Sequence, residues 1–441
     1  MRPFFILWFG QLVSTFGTSL GSFSLGVWVF QKTGTATPFA MIAVVIGVVM
    51  LVLAPLSGVL ADRWDRRKIM LFSNVGSAVM TLVIASLMLT GRLEVWHVYP
   101  FVIVMVSLGA LQGPALAASV SLLVPRRNLA RASGMSQVSR SSAGIVGPFA
   151  AGFLVSTIGN YGVIYIDCAT FLFAAATLLL VPIPKPPQTA GPRRFSMFRD
   201  LGAGWAYIRE RHGLFALLSM YTLTNFCMGI VQVLLTPLIL SFATPVELGS
   251  VNSAAAGGVL LGSLALSFWG GPRKRIWTIF AVLVFQGCVL FLGGVEPSIP
   301  LIVLATFGFM FTSPIIAGTN QAILQSKVAP EVQGRVFGMA GLIVACTMPL
   351  ASAIAGPLVD RVFQPLLSPG GTLATTFVGN LVGVGPGRGV GLLFVVLGVS
   401  VLVIVSLAFL NPRLRRIETE LPDAIRPSPN TTAPMEHPQT A

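Results

Sequence analysis

Two ionisable side chains, Arg140 and Asp167, lie inside apolar stretches that are long enough to cross a bilayer. Ionisable groups are costly in a membrane and commonly mark ligand pathways or proton relays. Asp167 is the better proton-coupling candidate, whereas Arg140 lies near enough to a helix end for its side chain to reach the interface. The alternative for Asp167 is a packing role with hydrogen bonds to hydroxyl groups. We expect no ion pair between the two, because they enter the membrane from opposite ends.

Other residue types offer little chemistry. The chain has three histidines, no HExxH motif and no nucleophile–base constellation within its helices. Its four cysteines are scattered along apolar segments, which is typical of small buried residues rather than of a disulfide or metal site. We therefore predict that the protein is not an enzyme and that it holds no metal and no cofactor. A proton gradient is the expected energy source.

The elements that position these residues are long apolar helices. The 441-residue chain is 54% hydrophobic and 10% charged, whereas a typical soluble domain is about 25% charged. This composition excludes an ordinary soluble enzyme and predicts an all-α membrane protein, because helices satisfy their own backbone groups in lipid. Twelve transmembrane helices are predicted, at 4–30, 38–61, 69–90, 97–123, 134–157, 162–182, 213–240, 248–270, 276–294, 298–322, 337–361 and 389–411.

The twelve segments form two similar sets of six. We predict an N-terminal bundle (1–182), a cytoplasmic linker (183–212), a C-terminal bundle (213–411) and a disordered cytoplasmic tail (412–441). Gly147-Pro148 in the fifth segment has a counterpart in Gly356-Pro357 of the eleventh. The first and seventh segments also carry comparable polar stripes. Such pseudo-symmetric halves are expected of a transporter whose site lies between them.

Basic residues are distributed unevenly between the two sides of this arrangement. Of the 28 Lys and Arg, 23 fall on the side of the termini, four fall on the other side, and Arg140 lies within a segment. Because cytoplasmic loops are enriched in Lys and Arg, both termini are predicted to be cytoplasmic. The net charge of +14 is thus an orientation signal and not a sign of nucleic-acid binding.

The run Gly58-Val-Leu-Ala-Asp62-Arg63-Trp-Asp65-Arg66-Arg67 resembles the signature between helices two and three of the major facilitator superfamily. Asp65 stands where that family usually has glycine. The resemblance implies a twelve-helix fold of two six-helix bundles and places the start of helix eleven near Asp62. A helix N-terminus attracts a carboxylate, so Gly58, Asp62, Arg63, Asp65, Arg66 and Arg67 are predicted to form a conformational latch. The alternative is a solvated turn that only fixes orientation.

A second motif lies in helix five. It resembles the antiporter motif of exporters in the superfamily, with alanine at two of its glycine positions: Gly134, Ala143, Gly147, Pro148, Ala151 and Gly152. Small residues allow close helix approach, so generic packing is the alternative. The sequence as a whole is similar to the bacterial exporter branch of the superfamily that includes macrolide efflux proteins and the enterobactin exporter.

The resemblance implies a cavity lined by helices one, four, seven and ten. Its polar candidates are Gln11, Thr15, Thr18, Gln112, Asn225, Gln232, Asn320 and Gln321. These neutral groups favour a bulky amphipathic substrate over a phosphate or a dicarboxylate. Helix four lacks the arginine that many proton-coupled drug exporters carry there, which leaves the usual coupling route open to question.

We therefore predict a multi-pass protein of the bacterial cytoplasmic (inner) membrane that exports amphipathic drug-, macrolide- or siderophore-like molecules by alternating access and proton antiport. It is expected to be a monomer in contact with membrane lipid. One alternative is a proton-independent facilitator or a lipid-type transporter. Another is a non-transporting membrane sensor or scaffold.

Overall fold

The computed structural model describes residues 2–125, 128–181, 197–269, 271–272, 274–295, 298–329 and 332–420, and within them the chain is helical with no strand. Apolar side chains dominate most of these helices, which is expected where helices must satisfy the backbone in lipid. In chain order the helices are α1 (Arg2–Thr33), α2 (Ala36–Arg63), α3 (Arg66–Leu89), α4 (Val95–Leu123), α5 (Leu129–Leu179), α6 (Met197–Glu210), α7 (His212–Leu240), α8 (Pro245–Trp269), α9 (Arg275–Val295), α10 (Ile299–Lys327), α11 (Gln333–Leu358), α12 (Gln364–Leu366), α13 (Phe377–Val382), α14 (Arg388–Leu410), α15 (Pro412–Arg415) and α16 (Ile417–Glu420).

Helix α5 is a hairpin of two membrane-length limbs. The backbone reverses at Gly159, whose φ of 74° is readily adopted only by glycine. Trp8 of α1 donates a hydrogen bond to the carbonyl of Met135 in the first limb (3.1 Å), and Gly10 packs against Thr177 in the second limb. The start of the first limb and the end of the second limb therefore both lie beside the start of α1. The 11 apolar helices of membrane-spanning length in the described chain thus provide twelve crossings, as predicted.

The first six crossings form the N-terminal half, and α7–α11 with α14 form the C-terminal half. The two ends of the bundle differ in charge. We call the end that carries Arg2, Arg66, Arg67, Lys274 and Arg275 the basic end, and the end that carries Lys32 and Arg92 the opposite end. These positions follow from the helix bounds, because successive crossings alternate in direction.

The two halves are in contact at the opposite end. An apolar cluster there joins α1, the first limb of α5, α7, α8 and α10, with Leu20, Val27, Ala151, Ile239, Leu248 and Ile302 in its centre. Gly47 of α2 also packs on Pro349 of α11, and Gly152 of α5 packs on the backbone of Pro245 in α8. Small residues at these positions allow the helices to approach closely.

At the basic end the described residues leave space between the halves. A Cβ atom added at Gly134 of α5, or at Gly334, Gly338 or Gly341 of α11, would meet no described atom within 4 Å. Among the described residues, the halves are therefore in contact at the opposite end and apart around these glycines at the basic end.

The predicted linker contains a helix, and the start of the predicted disordered tail is ordered, contrary to expectation. The predicted linker 183–212 contains the helix α6, which packs through Gly204 on the backbone of Arg335 in α11. The predicted disordered tail 412–441 is helical as far as residue 420, because Leu414 and Ile417 are buried and the Glu418 carboxylate accepts the backbone N–H of Arg275 (3.2 Å). Residues 421–441 lie outside the described part.

Candidate functional site

A cavity of about 380 Å³ lies within the C-terminal half, between α7, α8, α9, α10 and α14. We call it the upper cavity. Cavities of roughly 300–1,000 Å³ are typical of small-molecule sites. None of its described lining residues is charged. Its polar lining residues are Tyr221, Thr224, Asn225, Gln232, Thr236, Asn252, Gln286, Thr306 and Ser313, and the remainder are mostly aliphatic and aromatic.

A second cavity of about 400 Å³, the lower cavity, lies nearer the basic end between α7, α10 and α11. The predicted residues Asn320 and Gln321 line it, with Phe337 on the facing helix. Tyr221 lines both cavities and separates them. The two cavities therefore lie in sequence along the C-terminal half.

Polar groups around the upper cavity form hydrogen bonds beside it. Gln286 of α9 donates to the carbonyl of Phe309 (3.3 Å) and to the hydroxyl of Thr312 (3.0 Å), both on α10. Asn225 of α7 donates to the carbonyl of Tyr221 in its own helix (2.7 Å). These bonds link α9 to α10, whereas the bond of Asn225 stays within α7. Asn225 and Gln232, two of the predicted cavity residues, both line this cavity.

The predicted residues of the N-terminal half are arranged differently. Gln112 of α4 donates to Gln11 of α1 (2.8 Å) and to Asn74 of α3 (3.1 Å), and this amide network joins three helices. Thr15 and Thr18 donate to backbone carbonyls of their own helix. The space beside Gln11 and Thr15 is about 50 Å³, enough for one or two water molecules at most.

Asp167 lies in the second limb of α5 with only 4% of its surface exposed. Its carboxylate faces Gly21 of α1, where any added Cβ would overlap it. Its Oδ1 atom is buried and has no hydrogen-bond partner among the described residues. The hydroxyl-bonded packing role that was the alternative for Asp167 is therefore not seen at this atom.

Arg140 lies in the first limb of α5 and its side chain is exposed. It donates to the side chain of Gln137 one turn earlier (2.8 Å) and borders the small space beside Gln11 and Thr15. Arg140 faces the basic end, whereas Asp167 is buried in the other limb. The structure does not bring the two proton-coupling candidates together.

The antiporter-type motif lies where α5 meets both α1 and α8. On the α1 side, the Ala143 carbonyl accepts a hydrogen bond from Ser19 (3.1 Å), and Gly147 packs on the same serine. On the α8 side, the carbonyl of Pro148 lies against Gly249, and Gly152 lies against Pro245. Ala151 is fully buried, whereas Gly134 faces open space at the basic end. All but the first motif position therefore pack within or between the halves.

Only part of the predicted latch lies among the side chains that the structure describes. Asp65 caps α3 by accepting the backbone N–H of Arg67 (3.0 Å) and Lys68 (3.3 Å). Arg66 donates to the carbonyl of Ala118 (3.1 Å) and Arg67 to that of Leu179 (2.7 Å), both in the N-terminal half. The side chains of Gly58, Asp62 and Arg63 lie outside the described residues.

Several lining residues of the upper cavity were missed from the sequence, among them Asn252, Gln286 and Thr306. They lie on α8, α9 and α10, whereas the predicted cavity was lined by helices one, four, seven and ten. A polar residue isolated in an apolar helix was the available signal, since Gln286 lies within a mostly apolar stretch. In the described part of the chain no group of three His, Cys, Asp or Glu residues could hold a metal ion.

Comparisons with known proteins place this architecture. The sequence profile of the Major Facilitator Superfamily matches residues 7–352. Macrolide efflux protein A of Streptococcus pyogenes is 31% identical over 366 residues, which are 81% of this chain and 90% of that protein. Multidrug efflux pump Tap of Mycobacterium tuberculosis is 24% identical over 372 residues, covering 81% of this chain and 87% of that protein.

Solved structures show the same fold. A bacterial homologue of the human lysosomal transporter Spinster, in an inward-facing and unoccupied conformation, superposes with a TM-score of 0.69 at 14% identity over 93% of this chain and 96% of that chain. A POT family transporter in complex with 5-aminolevulinic acid gives a TM-score of 0.64 at 14% identity, over 93% and 96% of the two chains.

Proposed function

Because this chain belongs to the Major Facilitator Superfamily, we propose that it exports neutral amphipathic small molecules, macrolide-type drugs among them, by alternating access. The chain is a multi-pass membrane transporter with relatives named for macrolide and multidrug efflux. The proposal adds the substrate class, the direction of transport and the energy source.

The observation that supports this substrate class best is the uncharged upper cavity. Amide and hydroxyl groups such as Asn225, Asn252 and Thr306 are set among aliphatic and aromatic side chains. An anionic substrate would need buried Arg or Lys, because an unpaired charge is costly away from water. A molecule with an apolar body and a few hydroxyl, ether or ester groups would satisfy this lining.

Export is the proposed direction, and the relatives named for efflux support it. We propose that the chain lies in a bacterial cytoplasmic membrane with its basic end and both termini inside, because cytoplasmic loops are enriched in Lys and Arg. In this assignment the space between the halves at the basic end gives the lower cavity access to the cytoplasm. The conformation described here is then the one that loads substrate for export.

Proton antiport is the proposed energy source, with Asp167 as the coupling group. Its buried carboxylate, with Oδ1 unpartnered among the described atoms, is an unusual arrangement in a membrane. Protonation removes the charge and lowers the cost of burial, so proton binding and release would favour different conformations. A proton-independent facilitator is the rival, because Gln112 of α4 takes part in an amide network instead of offering a charge.

The test is uptake of a radiolabelled macrolide and a lipophilic dye by energised inverted membrane vesicles. Wild type should accumulate both, a protonophore should abolish accumulation, and Asp167→Asn should transport at least tenfold more slowly. The matched control is Glu94→Gln, the same chemical change at a helix start outside the bundle interior. Accumulation that survives both protonophore and Asp167→Asn would refute proton coupling. The absence of uptake of either compound by well-expressed wild type would refute the substrate class.

A further inference from the structure

Asp360 joins the two halves at the opposite end of the molecule. Its carboxylate accepts hydrogen bonds from the backbone N–H of Ala36 (3.1 Å) and Thr37 (2.8 Å), and from the Thr37 hydroxyl (2.6 Å). Ala36 and Thr37 are the first residues of α2, whereas Asp360 lies in a π-helical turn (Val359–Phe363) that continues α11. A carboxylate of one half therefore caps a helix of the other half, where the helix dipole favours negative charge.

The sequence around Asp360 repeats the pattern at the end of α2. Gly58-Val-Leu-Ala-Asp62-Arg63 and Gly356-Pro-Leu-Val-Asp360-Arg361 share the form G-x-L-x-D-R. Helix α2 runs from the opposite end to the basic end, and α11 runs the other way. The same six-residue pattern therefore lies once at each end of the molecule, on two helices that pack against each other.

Helices α2 and α11 pack antiparallel, with the contact of Asp360 at one end of the pair. Gly356 lies against the backbone of Thr37, and Gly47 lies against Pro349, which fixes the register. Asp360 therefore lies one turn beyond the close approach of Gly356 to Thr37, where the two halves meet.

We infer that Asp360 is a latch that holds the opposite end closed during the transport cycle. Its carboxylate caps the N-terminus of α2 only in the state in which the opposite end is closed. The bonds of Asp360 across the halves must break when the opposite end opens. Removing these bonds therefore destabilises the closed state and leaves the stability of the open state unchanged. π-Helical turns such as the one that carries Asp360 are frequent at functional sites.

The test measures the conformational equilibrium without substrate. Nitroxide labels at Arg92→Cys and Thr372→Cys, two exposed loop positions of different halves at the opposite end, report opening by pulsed electron spin resonance in nanodiscs, on a background without the four native cysteines. Asp360→Ala should raise the ratio of open to closed molecules about tenfold, since hydrogen bonds to a charged group are among the strong ones. Thr37→Val, which removes only the hydroxyl donor, should raise it about threefold.

Three outcomes decide the inference. Glu247→Gln is the matched control, because Glu247 caps a helix start at the same end but within its own half through Thr244 (2.8 Å); it should leave the distances unchanged. An equal shift in Glu247→Gln and Asp360→Ala, or no shift in Asp360→Ala, would overturn the latch. If Asp360→Ala does not reach the membrane, Asp360→Asn must shift the equilibrium in the same direction, and no shift would overturn the inference. Because no substrate is present, failure here leaves the export proposal untouched.

Discussion

In the N-terminal half, Gln112 donates hydrogen bonds to both Gln11 and Asn74, and the space beside Gln11 is about 50 Å³. In the C-terminal half, Asn225 bonds within its own helix, Gln286 bonds to the neighbouring helix α10, and a cavity of about 380 Å³ remains. Similar amide residues on pseudo-symmetric helices thus give one closed interior and one open interior. The halves differ in that Gln112 reaches side chains on two other helices, whereas Gln286 reaches one other helix and Asn225 only its own.

The same comparison extends to charge. The N-terminal half buries the carboxylate of Asp167 against α1, whereas the described lining of the upper cavity carries no charge. We propose a division of labour in which the N-terminal half responds to the proton and the C-terminal half holds the substrate. The helix α5 connects the two, because its second limb carries Asp167 and its first limb packs on α8.

The largest expected effect is on transport, from filling the upper cavity. Ala305 lines this cavity, so Ala305→Phe should occupy much of the substrate volume and reduce macrolide uptake at least tenfold. Leu304→Phe is the control, because the adjacent side chain is 68% exposed on the outer face of α10. Uptake is measured in inverted vesicles at matched expression. Equal loss in both variants, or normal uptake by Ala305→Phe, would contradict a substrate site in this half.

An intermediate effect is expected on stability, from breaking the amide network of the N-terminal half. Gln112→Ala leaves acceptor oxygens of the buried Gln11 and Asn74 unpaired, which should lower the free energy of unfolding by about 1–3 kcal/mol. Thermal unfolding in detergent measures this loss. A stability equal to wild type would show that the network does not close the N-terminal half.

The smallest expected effect on stability comes from truncating an amide side chain of the C-terminal half. Asn225→Ala removes a bond to its own helix only, so the free energy of unfolding should fall by no more than about 0.5 kcal/mol. Because Asn225 lines the upper cavity, the apparent KM for a macrolide should rise roughly three- to tenfold, as expected for one lost hydrogen bond. A large stability loss with unchanged KM would mean that Asn225 is a structural residue like Gln112.

The helices could be predicted because membrane crossings are set by local apolar length. All twelve crossings and the two-half arrangement follow from the sequence, and even the hairpin of α5 was separated correctly near Gly159. Segments of mixed character were predicted less well. Proline-rich surroundings concealed α6, and the apolar pair Leu414 and Ile417 gave too short a signal to predict an ordered start of the tail.

The site was less predictable because it depends on partners distant in the chain. Gln112 bonds to residues 101 and 38 positions away, and no spacing rule indicates such bonds. Gln11 and Gln112 were predicted as cavity residues, and the structure places them in an amide network beside a space of about 50 Å³ that Gln11 lines. Asn225 and Gln232 were predicted by the same reasoning, and the structure places them in the lining of the upper cavity. The latch role of Asp62 stays a prediction.

The measurement that tests the central claim most directly is substrate protection of a cysteine in each half. Ser313→Cys lies in the upper cavity and Thr15→Cys borders the small space of the N-terminal half, each on a background without native cysteines. Alkylation by a small maleimide is followed with and without a saturating macrolide. A substrate site in the C-terminal half predicts at least fivefold slower alkylation of Ser313→Cys and less than a twofold change for Thr15→Cys. Protection of Thr15→Cys with none at Ser313→Cys would contradict it.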